Sequence, residues 1–122
     1  EWFVSAVIKL SKGEKEESLQ TIKSHLNRRG ATQPTQQPNA GSVFRNPEGD
    51  YAARLIESCG LKNFCIGGAC VSEKHANFII NTGTATANDI ATLIETVHKK
   101  VQQQHNVDLI REVQIIGECD DK

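Results

Sequence analysis

At 122 residues the chain has room for one self-sufficient core, and two would each sit near the lower limit. With 38% hydrophobic and 24% charged residues it has the composition of an ordinary globular domain, and no apolar run is long enough to cross a bilayer. Lys+Arg 14 against Asp+Glu 15 leaves a formal net charge of -1, which supplies no chain-wide drive toward nucleic acid or an anionic membrane.

The sequence contains no Met and opens on Glu1-Trp2-Phe3-Val4, neither an initiator nor a signal peptide, so it reads as a piece of something larger. From Trp2 to Leu10 the residues Trp2, Val4, Ala6, Ile8 and Leu10 alternate with Phe3, Ser5, Val7 and Lys9, the pattern of a strand buried mostly on one face. Ser11-Lys12-Gly13 breaks the alternation. Leu19, Ile22 and Leu26 then fall at helical spacing among charged residues, predicting an amphipathic helix from Glu14 to Arg29 with Gly30 as its stop. Ala31 to Gly41, with Pro34, Pro38, Asn39 and three glutamines, has no apolar periodicity and reads as a loop.

After Pro47-Glu48-Gly49, the residues Ala52, Ala53, Leu55 and Ile56 suit one face of a short helix ended by Gly60. Phe64 to Val71, split by Gly67-Gly68, and Asn77 to Asn81 are read as two short strands with a turn between them. Thr86 with Asp89 resembles a capping box, and Ile90, Leu93, Ile94, Val97 and Val101 follow at steps of three and four, predicting a helix to Gln104. Val113 to Ile116 reads as a last strand closed by Gly117, and residues 119–122 as a loose polar tail. Strands and helices mix without a regular βαβ repeat. The expected fold is therefore α+β, a single domain over residues 1–122 with a small antiparallel or mixed sheet and helices packed on one side.

The densest cluster of chemically special residues is Gly41-Ser42-Val43-Phe44-Arg45-Asn46-Pro47. Arg45 offers a fork of donors to phosphate, Asn46 an amide N–H, and the following helix start adds backbone N–H groups and a favourable dipole. The plainer reading is a capped turn, with Asn46 as N-cap and Pro47 as first helical residue. Ser42 does not lie in a G-x-S-x-G elbow, and no His or Asp has an obvious activating role, so it is a poor nucleophile. As a proton donor, an ordinary hydroxyl serves only a strongly basic acceptor such as a carbanion or enolate. His75 reads as a general acid, an anion contact or a strand-edge histidine, and Glu112 as a solvated acid at a strand start. Cys59, Cys65, Cys70 and His75 form a ladder whose spacing departs from the close pairs of zinc sites; these cysteines and Cys119 are read as small, partly buried thiols, with no metal.

GSVFRNP at 41–47, with Gln37-Pro38, AARLIESCGLK at 52–62, IGGACVSEKHANFIIN at 66–81 and REVQIIGE at 111–118, resembles the carboxy-terminal domain of the UDP-N-acetylenolpyruvoylglucosamine reductase (MurB) family. The resemblance is ordered and covers nearly the whole chain. It implies a bacterial cytoplasmic flavoenzyme of peptidoglycan synthesis, in which NADPH reduces FAD and hydride then passes to the enolpyruvyl group of a UDP-sugar, giving UDP-N-acetylmuramate. This chain is then the substrate-binding domain, with FAD held by a preceding region of the same full-length protein, of which residues 1–10 resemble the end. The partners implied are UDP-N-acetylenolpyruvoylglucosamine and that FAD-binding region, with neither nucleic acid nor membrane, and the piece alone is expected to be inactive.

By the same resemblance Ser42 matches the serine that protonates the intermediate, and Glu112 the acidic catalytic residue. Asn46 matches a substrate contact, His75 falls where relatives carry a polar substrate contact, and Arg45 where they commonly carry a basic residue. Asn63 stands where the family often has glycine, and Cys65 and Cys70 are not family signatures. The alternative reading is a non-catalytic nucleotide-sugar or anion-binding module, which needs only Arg45, Asn46 and the helix start.

Overall fold

A computed structural model describes residues 2–117. In chain order the elements are α1 (Lys15–Thr32), β1 (Asn39–Ser42), α2 (Ala52–Ser58), β2 (Cys65–Ile66), β3 (Ala69–Val71), β4 (Phe78–Asn81) and α3 (Ala87–His105). The four strands form one antiparallel sheet in the order β1-β4-β3-β2. The α+β expectation holds.

The core is built on α3. Its start is fixed by a capping box: the Asp89 N–H donates to Thr86 Oγ1 at 3.1 Å and the Thr86 N–H to Asp89 Oδ2 at 2.9 Å, satisfying two of the amides a helix start leaves open. Leu93, Ile94, Val97 and Val101 on its inner face are buried. They pack with Ala52, Leu55 and Ile56 of α2, with Ala69, Val71 and Ile79 of the sheet, and with Val43, Phe44 and Leu109 of the connecting segments. The helix ends where Asn106 turns into the left-handed region (φ 54°).

Gly67-Gly68 is the turn of a β2–β3 hairpin rather than an interruption, so the region read as two strands holds three. The hairpin leans on the start of α3, and a Cβ at Gly68 would lie 2.3 Å from the Ala85 backbone nitrogen. Cys65 and Cys70 face each other across it and form a disulfide, which corrects their reading as thiols and removes both sulfurs from any metal ladder. Cys59 is a free, half-buried thiol, and Cys119 lies outside the described residues. Asn63 has a φ of 61°, the left-handed conformation that its glycine-like position requires.

Four further expectations change. Trp2 to Leu10 forms no strand, and Trp2, Phe3, Val4 and Val7 are almost wholly exposed, because alternation alone gives a strand no partner for its backbone groups. For the same reason Val113 to Ile116 is not a strand: the 110–113 segment makes one isolated bridge, Phe44 with Arg111. Gly30 does not stop α1, which continues to Thr32; the stop is Pro34, which forces Gln33 into an extended conformation (φ -124°, ψ 151°). The loop predicted to Gly41 ends early, since residues 39–42 are β1. α1 stands apart from the core, with no buried residue and with Leu19, Ile22 and Leu26 all exposed. The 119–122 tail lies outside the described residues.

Since the two nearest atoms that a Gly68 side chain would meet are backbone, Gly68→Ala is expected to lower stability by about 3 kcal/mol, the upper end of the range for overpacking. Gly60→Ala, at φ 69° with open space around it, should cost only about 1 kcal/mol, that of the left-handed conformation. Urea unfolding of the two variants checks this, and equal losses would refute the packing argument.

Candidate active site

Ser42 is delivered by a distorted edge strand. Asn39 organises the approach: its Nδ2 donates to the Pro34 and Gln37 carbonyls at 3.0 and 2.7 Å, and its Oδ1 accepts from the Gly41 N–H at 2.9 Å. Gly41 then takes a φ of 83°, and the β1–β4 register shifts between Asn39 and Ser42. Ser42, half-buried, ends up opposite Phe78. Both line an open cavity of about 760 Å³, whose other walls include Leu26, Arg29 and Gly30 of α1 with Gln33, Thr35 and Asn39 beyond it. Lys74, which donates to the Gly30 carbonyl at 2.9 Å, ties the end of α1 to the β3–β4 connection.

Beyond Ser42 the chain is held by Asn77, one of the few buried polar side chains. Its Oδ1 accepts from the Phe44 N–H at 3.0 Å, its Nδ2 donates to the Phe44 carbonyl at 2.7 Å, and its backbone carbonyl accepts from the Val43 N–H at 2.9 Å. On the opposite edge, the Glu112 N–H donates to the Val43 carbonyl at 2.8 Å and the Arg45 N–H to the Ile110 carbonyl at 2.9 Å. Glu112 thereby stands across from Val43, one position removed from Ser42.

His75 packs behind Phe78 and does not itself line the cavity. Its ring meets Phe78 edge-on with centroids 4.8 Å apart, and Nδ1 accepts from the Asn77 N–H at 3.3 Å. That contact needs an unprotonated Nδ1, leaving Nε2–H as the donor of the neutral ring. Burial lowers the His75 pKa from its usual 6.5, opposed by a contact with its own backbone and by Glu57 and assisted by Lys62.

Asn46 does not cap a helix that begins at Pro47. α2 starts at Ala52 after Tyr51, yet the Asn46 Oδ1 accepts from the Ala52 N–H at 3.1 Å, so the capping function survives from six residues away. The first amide of α2 is thus already paired, which removes it from an anion site, while the Asn46 Nδ2 remains a donor. Asp50 accepts from the Tyr51 N–H and pairs with Arg54, which together hold its carboxyl down at about 2.

Of Ser42, Arg45, Asn46, His75 and Glu112, only Ser42 lines the cavity; Glu112 stands across the Val43 backbone from it, His75 lies against Phe78, and exposed Arg45 and Asn46 lead away toward α2. Among the described residues, the side chains of Ser42, Arg45 and Glu112 make no hydrogen bond or ion pair within the chain. Asn39 and Asn77 went unassigned in the sequence because the partner of Asn77 is 33 residues away. The only local sign of Asn39 was its place before a glycine two residues on.

Gly67-Gly68, the one glycine pair, is no cradle for a flavin pyrophosphate: Asp89, Thr84 and Ala85 fill the space against it. That turn does not fit a flavin pyrophosphate.

Asn77→Ala strands both Phe44 polar groups and should destabilise by about 3 kcal/mol, read from the urea midpoint. The lowered His75 pKa means that the unfolded chain takes up a proton near pH 6.5 which the folded chain refuses. The corresponding stability is fully present above that pH and declines as pH falls through and below it. His75→Gln should flatten the fall, as measured by urea titrations at about pH 7.5 and about pH 5.5.

Residues 33–116 match the family described as UDP-N-acetylenolpyruvoylglucosamine reductase, C-terminal domain. A Legionella pneumophila protein named UDP-N-acetylenolpyruvoylglucosamine reductase is 64% identical over 120 residues, covering 98% of this chain and 39% of that protein. The Thiobacillus denitrificans protein of the same name is 58% identical over 118 residues, covering 97% of this chain and 36% of that one. The crystal structure of UDP-N-acetylenolpyruvylglucosamine reductase (MurB) from Thermus caldophilus superposes with a TM-score of 0.69 at 38% identity, over 85% of this chain and 37% of that chain. The chain spans about two fifths of the length of the curated relatives it matches. With the family match extending from the end of α1 through β1 and the Val43–Glu112 ladder, this chain belongs to the UDP-N-acetylenolpyruvoylglucosamine reductase family as its C-terminal domain.

Proposed function

We propose that this chain is the substrate-binding and proton-donating part of a reductase that converts UDP-N-acetylenolpyruvoylglucosamine to UDP-N-acetylmuramate in the bacterial cytoplasm. FAD, with NADPH as electron donor, belongs in this reading to a region outside residues 2–117. The observation that carries it is the arrangement about Val43, whose N–H and carbonyl are fixed by Asn77 and Glu112 beside a half-buried, unpaired Ser42 hydroxyl at the edge of a 760 Å³ cavity. Ligand pockets commonly measure roughly 300–1,000 Å³.

Hydride addition to the terminal carbon of an enolpyruvyl group leaves negative charge shared between the other alkene carbon and the carboxylate. That carbanionic centre is basic enough to take a proton from a serine hydroxyl, the one circumstance in which Ser42 is a competent acid. A hydrogen-bond-relaying role for Glu112 fits the same step, since its side chain has no partner within the described residues. Exposed Arg45 supplies a guanidinium fork to phosphate oxygens or a carboxylate, and the Asn46 Nδ2 and the His75 Nε2–H are neutral donors. The alternative, an anion-binding module without catalysis, uses Arg45 and Asn46 and leaves Ser42 idle.

In the full-length enzyme, Ser42→Ala should leave flavin reduction by NADPH intact and slow reduction of the UDP-sugar by about 10²-fold or more, the scale of a lost general acid. Single-turnover spectroscopy of the flavin separates the two half-reactions. Loss confined to substrate affinity, with reduction of bound substrate unslowed, would favour the binding module.

A further inference from the structure

We propose that His98 and Asp108 act as a positioning pair that keeps the 110–112 segment, and with it Glu112, in register against Val43. The proposal rests on the reading of Glu112 given above for its catalytic consequence; its structural half stands without it.

The ladder that sets Glu112 is thin. It consists of the isolated Phe44–Arg111 bridge and the bonds from Arg45 N–H to the Ile110 carbonyl and from Glu112 N–H to the Val43 carbonyl, with a longer contact from the Val113 N–H at 3.4 Å. So short a pairing specifies its register weakly, and a slip of one residue would send the Glu112 side chain to the other face. Arg111 and Glu112 are themselves exposed and bring no buried side chain to hold them.

The restraint comes from α3. After the left-handed Asn106, the chain turns back along the helix and buries Leu109, and between them the Asp108 carboxylate meets His98 Nε2 at 2.6 Å. A carboxylate can only accept, so Nε2–H donates, and the ring orientation is fixed. The same ring stacks on Phe44, with centroids 6.5 Å apart and planes at 26°. His98 therefore touches both sides of the ladder, Phe44 through its ring and the returning segment through Asp108. Asp108 is 75% exposed, and so is dispensable for the core, whereas the His98 side chain is 27% exposed and held against it.

The test uses the 122-residue chain and the full-length enzyme together. In the chain, Asp108→Ala is expected to speed amide exchange at Arg45 and Glu112 by roughly fivefold, the upper reach of an exposed pair, without changing β3 or β4. With Asp108 intact, His98→Gln, whose amide nitrogen lies at the reach of Nε2, should keep the protection that His98→Asn, one bond shorter, loses. In the full-length enzyme, Asp108→Ala should lower kcat for substrate reduction by a similar factor, with KM for the UDP-sugar within about twofold, and His98→Gln, with Asp108 intact, should keep most of the native kcat. Unchanged exchange, exchange that rises throughout the chain, or altered exchange with unaltered kcat would each overturn the proposal. Should the native full-length protein lack the reductase activity altogether, the reading of Glu112 falls, and the exchange measurements alone decide whether the pair holds the ladder.

Discussion

The Asn77 side chain is the constraint on which the rest of the site depends. After β1 the chain leaves regular pairing with β4, and the next residues would be buried with their polar backbone unsatisfied were it not for a carboxamide that pairs with Phe44 as another strand would, one donor and one acceptor. Phe44 has its other edge toward Arg111, so its backbone is held from both sides. Ser42 on one flank and Arg45 on the other inherit that placement. Because the amide is buried among apolar neighbours, leaving its partners unpaired costs the full desolvation of each group, and the arrangement has no cheap alternative.

The helices were legible because their signals are local. The capping box and the three- and four-residue steps of α3 lie within one stretch, and the observed helix differs from the expected one by a residue. Strands are decided elsewhere in the chain. Trp2 to Leu10 has a cleaner alternation than β1, yet β1 is the strand, since Pro38 and Asn39 bring it alongside β4. The Gly67-Gly68 hairpin and the Cys65–Cys70 bond were missed for the same reason: both follow from pairing, which two glycines in an apolar run do not announce.

The site residues divide in a similar way. Ser42, Arg45, Asn46, His75 and Glu112 stand out by residue chemistry, the family resemblance gives them roles, and the chemistry of a hydroxyl acid limits what Ser42 can do. What the sequence did not disclose is how far each is already engaged. The Asn46 oxygen is taken by Ala52 and the His75 Nδ1 by Asn77, so each offers one remaining hydrogen-bonding nitrogen of known type. Ser42, Arg45 and Glu112 keep their whole side-chain capacity. The first two are therefore oriented donors toward a ligand, while the other three, on backbone that is fixed, keep side chains free to turn to it.

The cavity beside Ser42 has walls of unequal stiffness. The sheet wall is anchored by a buried amide and by the core of α2 and α3, so moving it means disturbing packed side chains and satisfied polar groups. The α1 wall buries none of its own residues, and among the described residues its link to the β3–β4 connection is the exposed Lys74 ammonium on the Gly30 carbonyl, a contact of modest strength in water. Groups placed by the sheet wall, Ser42 and Phe78, thus have a defined position, and those on α1, such as Leu26 and Arg29, move at little cost. A division of that kind suits proton transfer, which demands a fixed donor, alongside recognition of a long flexible ligand, which tolerates a wall that adapts.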